Sequence, residues 1–258
     1  MSPRPTLADK GVRSDKEESF MKLLTTCLAS AALAAGAGAF SYFQDFEELE
    51  LGDLDGQDGW LTDVSGAPDP QVVDLGGNRA VLLEVPDTAG TYALIELPIP
   101  DLIDAGLTKV TVSFDIFRPQ LDVTMNQNLW WYWYDPGTPT YGLQWDQGGG
   151  TTMPFGFESG AASTQTIYGR FVNITMEWDV AAGLAQSWYD GVAVDVDFPI
   201  SSIDALTGWA IYLSHDAGTG TGLGRAYIDN FSIEAVPEPA TLAALGLGSL
   251  VLIRRRRR

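Results

Sequence analysis

The chain of 258 residues has a single cysteine, Cys27, and it falls in an apolar segment near the N-terminus. Everything that follows is free of thiols, which excludes disulfide stapling, thiol catalysis and cysteine-ligated zinc from the bulk of the protein. Histidine is equally scarce. His215, in SHDAGTGTG, has no second histidine or cysteine to complete a triad or a zinc site, and it reads as a solvated loop residue. Basic side chains are also few: between residues 41 and 236 there are five against 29 acidic ones, a formal charge of −24. A surface of that sign repels phosphate backbones and argues against nucleic acid as a partner, leaving neutral or cationic polymers and divalent cations. No long segment carries the 3.6-residue period of an amphipathic helix, no glycine-rich phosphate loop follows a strand, and no internal repeat occurs.

What is present is a 45% hydrophobic composition, enough for a core. Short runs rich in Val, Ile, Thr, Tyr, Phe and Trp lie between Gly, Pro, Asp and Asn clusters. Twelve strands are expected, at 42–46, 71–74, 80–85, 92–97, 109–118, 129–134, 142–146, 153–157, 170–179, 185–189, 208–214 and 225–234. In KVTVSFDIFR, Val110, Val112, Phe114 and Ile116 alternate with Thr111, Ser113, Asp115 and Phe117, the pattern of a half-buried strand. Short helical turns are expected at 101–107 and 201–206. Many short strands separated by turn signals predict an all-β fold, an antiparallel β-sandwich of the jelly-roll kind.

The two ends read as addresses. From Met21, MKLLTTCLASAALAAGAGAF holds one lysine, an apolar run over 23–35 and the small residues Ala37, Gly38 and Ala39. These are the three regions of a secretory signal peptide, an apolar helix with cleavage after Ala39. Residues 1–20, polar and charged, read as an upstream extension ahead of a true start at Met21. At the other end, Pro237-Glu238-Pro239 precedes an apolar run over 241–253 and then Arg254, Arg255, Arg256, Arg257 and Arg258. The run is shorter than the roughly 20 residues that span a bilayer, but its basic flank is of the kind kept on the cytoplasmic side. The order of box, apolar stretch and basic tail resembles the PEP-CTERM sorting signal of Gram-negative bacteria. That resemblance implies a short hydrophobic transmembrane helix, delivery by the secretion machinery, and recognition by an exosortase-type membrane protease. The chain would be anchored transiently and then released to the cell surface or an exopolysaccharide matrix.

Between the addresses, FEELELGDLDGQDGW, TMEWDVAAGLAQSWYDGVAV and GRAYIDNFSIEAVPEP resemble concanavalin A-like, laminin-G-like jelly rolls, with galactose-binding-like sandwiches as the rival family. The middle stretch reads as a hairpin that turns at Ala181-Ala182-Gly183 and again at Asp190-Gly191, a pair suited to two positive φ angles. The expected organisation is an extension at 1–20, a signal peptide at 21–39, the sandwich at 40–235 and the sorting signal at 236–258.

Three places were candidates for chemistry. Asp53, Asp55 and Asp58 in GDLDGQDG lack the glycine and the bidentate glutamate that an EF-hand loop requires, and read as an exposed turn. Glu177 and Asp179 share one face of a strand and resemble part of the Glu-x-Asp-x-x-Glu pattern of retaining glycosidases, but Ala182 stands at the third carboxylate position. No catalytic residue and no enzyme activity are therefore expected. In LWWYWYDPGTPTYGLQW, Trp131 and Trp133 alternate with Trp130, Tyr132 and Tyr134. Trp131, Trp133, Tyr141 and Trp145 are the expected platforms for stacking on sugar rings. No cofactor is expected from motifs; by analogy with the rival family, Glu47 and Asp229 would bridge the first and last strands through a structural calcium ion. The expected function is an exported, non-enzymatic surface or exopolysaccharide-associated protein that binds carbohydrate through the aromatic strand, the alternatives being a glycan-active enzyme of the concanavalin-like class and a purely structural matrix protein. N-terminal sequencing of the exported protein should begin at Phe40; any later start would place the signal-peptide cut inside the predicted sandwich.

Overall fold

The computed structural model describes residues 38–86, 88–119, 127–135, 138–147, 152–157, 162–165, 168–200, 203–215 and 224–237, and between 127 and 165 it describes strand backbone and pairing. Period-two alternation builds the centre of the fold. In β7 (Leu107–Phe117), Val110, Val112, Phe114 and Ile116 are at most 1% exposed, while Thr111, Ser113, Asp115 and Phe117 on the opposite face are half-buried. In β12 (Phe171–Asp179), Val172, Ile174, Met176 and Trp178 repeat the pattern. A strand that buries alternate residues has to lie in a sheet with one covered face.

Among the described residues the strands form two antiparallel sheets. The first has nine: β14 (Val192–Pro199), β13 (Leu184–Tyr189), β12, β7, β16 (Gly224–Pro237), β5 (Arg79–Val85), β4 (Gln71–Asp74) and β2 (Gly52–Asp53) in spatial order, with β1 (Phe40–Gln44) also paired to β16. The second has seven: β11 (Ala162–Gln165), β10 (Thr152–Phe157), β9 (Thr138–Gln147), β8 (Gln127–Asp135), β15 (Gly208–His215), β6 (Thr91–Pro98) and β3 (Leu61–Ser65). The antiparallel sandwich is the fold that the alternation predicts. The expected signal helix and C-terminal hydrophobic helix fall outside the described residues; among those described, no helix is long and apolar enough to cross a membrane.

Trp178 of β12 and Trp209 of β15 meet edge to face across the two sheets, ring centroids 5.6 Å apart. A second buried aromatic group explains the opening FEELELGDLDGQDGW. Phe46 and Trp60, both fully buried, pack together at 5.8 Å, and Trp60 meets Phe231 of β16 at 5.1 Å. Phe46 sits at φ +61°, costly for a bulky side chain, and its N–H donates to the Gln44 Oε1 at 2.7 Å. The acidic turn between these aromatics is tied internally: Asp58 Oδ2 accepts from Tyr42 Oη and Gln44 Nε2, Asp55 Oδ1 from the Thr62 N–H, and Asp53 Oδ1 from the Asp55 N–H.

All twelve expected strands are present, with ends shifted by up to four residues. Four more, β2, β3, β11 and β14, escaped the sequence reading. The hairpin turns occur as expected, with Gly183 at φ +68° and the pair Asp190 and Gly191 at +52° and +76°. Residues 101–107 form a hydrogen-bonded turn held by Asp101, whose Oδ1 accepts from the Ile103 and Leu206 N–H groups. His215 corrects an expectation: it ends β15, is 1% exposed, and its carbonyl accepts the Gly90 N–H.

Replacing Trp178 or Trp209 by Ala should cost about 3–5 kcal/mol each. The double variant should fall short of additivity by about 0.5–1.5 kcal/mol, the coupling of an aromatic pair. Urea denaturation checks both figures, and full additivity would mean that the rings do not act on each other.

Candidate functional site

The outward face of the nine-stranded sheet carries two rows set by strand register. In the first, Phe171, Phe117 and Tyr227 stand side by side on β12, β7 and β16. Their rings touch, with centroids 5.4 Å apart for Phe171 and Phe117 and 5.6 Å for Phe117 and Tyr227. They line an open depression of about 530 Å³ together with Leu75, Gly169 and Arg170. Gly169, at φ +74°, turns the chain into β12 and donates its N–H to the Arg118 carbonyl at 2.9 Å. Arg170 grips Asp190 with two nitrogens, 3.2 and 2.5 Å from the carboxylate oxygens. That contact raises the Arg170 pKa and lowers that of Asp190.

The second row is polar. Asn173, Asp115 and Asp229 lie in register on the same three strands. Asn173 Nδ2 donates to Asp115 Oδ1 at 2.9 Å, Asn230 Nδ2 to Asp115 Oδ2 at 2.9 Å, and Asn78 Nδ2 to Asp229 Oδ2 at 2.8 Å. Asn230 reaches its partner because a register shift after Asp229 places it at φ +50°, a conformation asparagine tolerates. Burial raises the Asp229 pKa above the ordinary carboxylate range; hydrogen bonds from Asn78 and Asn230 oppose the shift, and the like charges of Asp115 and Glu47 add to it.

The structure thus brings Glu47 and Asp229, the expected calcium residues, within electrostatic reach of each other. Three of their four carboxylate oxygens accept hydrogen bonds: Glu47 Oε1 accepts the Arg79 N–H at 2.8 Å, and both Asp229 oxygens accept from asparagines 78 and 230. Among the described residues no group of three or more acidic, histidine or cysteine side chains could hold a metal ion. Glu177 and Asp179 do share the outward face of β12, but Lys109 Nζ lies 3.0 Å from Glu177, and Asp179 Oδ1 accepts the Ala182 N–H that closes the following turn.

The aromatic strand expected to bind sugar is β8, in the other sheet. Trp131 and Trp133 occupy positions opposite Ile211 and Trp209, the fully buried row of β15. Tyr141 lies opposite Trp133, and Trp145 opposite Leu129. Trp130 and Tyr132 hold the alternate positions, opposite Tyr212 and Ala210. Tyr212 of β15 and Tyr92 of β6 pack in a tilted pair with ring centroids 5.1 Å apart, both half-buried, with Tyr92 Oη donating to Asp63. The sequence reading missed Phe171, Phe117 and Tyr227. Their signal was there: Phe117 is an apolar residue on the otherwise polar face of KVTVSFDIFR.

Comparison with known proteins gives one family match, the PEP-CTERM protein-sorting motif over residues 235–258. The chain therefore carries that motif, and Pro237, Glu238, Pro239 and Arg254 to Arg258 fall within it. The motif implies processing by exosortase, a membrane protein, with export and transient membrane anchoring. No curated protein matches the chain. The fold is shared with a sialidase at 15% identity and TM-score 0.57, over 77% of this chain and 18% of that one. It is also shared with a botulinum neurotoxin type C structure at 12% identity and TM-score 0.51, over 86% and 53% of the two chains. An uncharacterised protein from Mycobacterium paratuberculosis follows at 13% identity and TM-score 0.52, over 74% and 99%. The chain spans about a fifth of the sialidase and about half of the neurotoxin structure.

Because folding raises the Asp229 pKa, the folded state keeps a proton that the unfolded chain gives up earlier, so stability falls as pH rises from the ordinary carboxylate value to the raised one. Glu47→Gln keeps the acceptor for the Arg79 N–H and removes one like charge. The fall in stability as pH rises above the ordinary carboxylate range should therefore be smaller in the variant. Urea unfolding at a series of pH values measures it; an unchanged slope would show that Glu47 does not act on Asp229.

Proposed function

We propose that this chain is an exported, non-enzymatic protein whose sandwich binds a neutral glycan in the depression formed by Phe117, Phe171 and Tyr227. The observation that carries the reading is the aromatic row in register across three adjacent strands, with amides and carboxylates in the row beside it. Flat apolar rings flanked by fixed polar groups match a pyranose, which has apolar C–H faces and a hydroxyl rim. Charge selects the class of polymer. Lys109, Arg170 and Arg225 are in ion pairs, Arg79 donates to the Glu47 and Leu49 carbonyls, and Arg118 is 3% exposed. With the domain's cations engaged and a formal charge of −24 around them, a neutral chain meets less repulsion than a polyuronate.

Two of the three fold relatives support a link to glycans: one is a sialidase, and another is a neurotoxin whose cell entry is described as dependent on interaction with two ganglioside molecules. Hydrolysis by paired carboxylates is disfavoured, since Glu177 is held by Lys109 and Ala182 replaces a third acid. The sorting motif would deliver the domain to the cell surface or its matrix, where the exopolysaccharide of the producing cell is the nearest ligand.

Affinity electrophoresis through gels containing that exopolysaccharide is the test. Wild-type protein should be retarded, and Phe171→Ala or Tyr227→Ala should weaken retention about tenfold or more, each tenfold step being about 1.4 kcal/mol. Trp131→Ala and Tyr212→Ala, in the other sheet, should be retained if they fold, as circular dichroism will show. Loss of retention only in Tyr212→Ala would move the site to the second sheet, and an unretarded wild type would leave a structural matrix role.

A further inference from the structure

Among the described residues that line the depression on the first sheet, Arg170 alone is charged; Leu75, Phe117, Gly169, Phe171 and Tyr227 are not. A guanidinium beside aromatic rings is suited to acidic sugars, because its planar fork takes a carboxylate through two parallel hydrogen bonds. Here the fork is already filled. Arg170 Nη1 and Nη2 reach Asp190 Oδ1 and Oδ2 at 3.2 and 2.5 Å, and Nη1 also donates to the Phe171 carbonyl at 3.1 Å. Both side chains stay in contact with solvent, 51% exposed for Arg170 and 36% for Asp190, so a ligand in the depression meets a pair with no net charge.

The turn puts Asp190 there. Tyr189 pairs with Val192, which leaves Asp190 and Gly191 as a two-residue loop at φ +52° and +76°. Such a loop accepts asparagine at its first position as readily as aspartate. The bond from the Asp190 N–H to the Asn173 carbonyl, 2.8 Å, belongs to the backbone and is indifferent to the side chain. Conformation therefore does not separate the two residues, and charge does. The arrangement recurs beside Tyr227: Arg225, two residues away on the same face of β16, has its Nε 2.5 Å from Glu84 Oε2. Each arginine next to the aromatic row has an acid of its own.

We propose that Asp190 sets the specificity of the depression: by occupying the Arg170 fork it excludes acidic glycans such as polyuronates and leaves the aromatic row to neutral ones. This inference rests on the glycan reading above and adds the residue that enforces it. The formal charge of −24 repels a polyanion as a whole. That repulsion is screened beyond about 8 Å at physiological ionic strength, whereas the Arg170–Asp190 pair acts where the ligand touches the protein.

The test titrates the exported protein against the exopolysaccharide of the producing cell immobilised on a sensor, either native or with its primary hydroxyls oxidised to carboxylates. Wild type should bind the oxidised polymer more weakly than the native one. Asp190→Asn keeps the turn and frees the Arg170 charge, and should narrow that gap roughly threefold to fivefold, the contribution of one exposed ion pair. Arg170→Gln leaves the Asp190 charge unpaired and should widen the gap, a change of opposite sign that does not depend on the first variant folding. Glu234→Gln removes one exposed charge from the same face, about 20 Å along β16 from Tyr227, and should leave the gap as in wild type. An unchanged gap in folded Asp190→Asn, an unchanged or narrowed gap in Arg170→Gln, or an equal narrowing in Glu234→Gln would overturn the proposal and leave the glycan reading standing. A wild type that does not bind the native polymer would overturn the glycan reading and this inference with it.

Discussion

The pairing of β16 is the constraint on which the rest of the structure depends. This strand joins β7 on one side to β5 and β1 on the other, so among the described residues the halves of the nine-stranded sheet are paired only through it. Ala226, Ile228, Phe231, Ile233 and Ala235 are fully buried along it. Phe231 also packs against Trp60, at the end of the segment that carries β2 between β1 and β3. The strand that closes the sheet is the last to be made and is continuous with the sorting signal. Folding of the domain and delivery of its address are therefore linked by covalent geometry.

The outward face of the same sheet shows how alternation can serve two ends. Inward residues of β7, β12 and β16 make the core, and their outward neighbours make an aromatic row and a polar row by the same register. The polar row is internally bonded through asparagines 78, 173 and 230, which holds Asp115 and Asp229 close together despite their like charge. A face built this way is rigid before any ligand arrives, so less order has to be imposed on binding.

Much of the sandwich was legible in the sequence because its central strands obey period two, as KVTVSFDIFR does, and because Asp190-Gly191 marks its turn by conformational need. The missed strands are the weak cases. β2 has two residues, β11 and β14 end their sheets, and the exposed Val192 and Val196 of β14 blur the alternation. His215 looked like a loop residue because glycines follow it, yet pairing with Thr91 and Gln127 carries β15 one residue further. The candidate site was hidden for another reason. Phe117, Phe171 and Tyr227 lie more than fifty residues apart in sequence, and only strand order makes them neighbours, whereas WWYWY advertises itself in a single run.

Amide hydrogen exchange on the folded domain tests most directly whether β16 organises the protein. If it does, the Ile228, Ile233 and Ala235 amides should exchange with the slowest class, at the rate of global unfolding, while amides of β14 exchange through local opening. Exchange of Ile233 and Ala235 at the rate of β14 would contradict the account, since the end of β16 would then open independently of the sheet it is held to join.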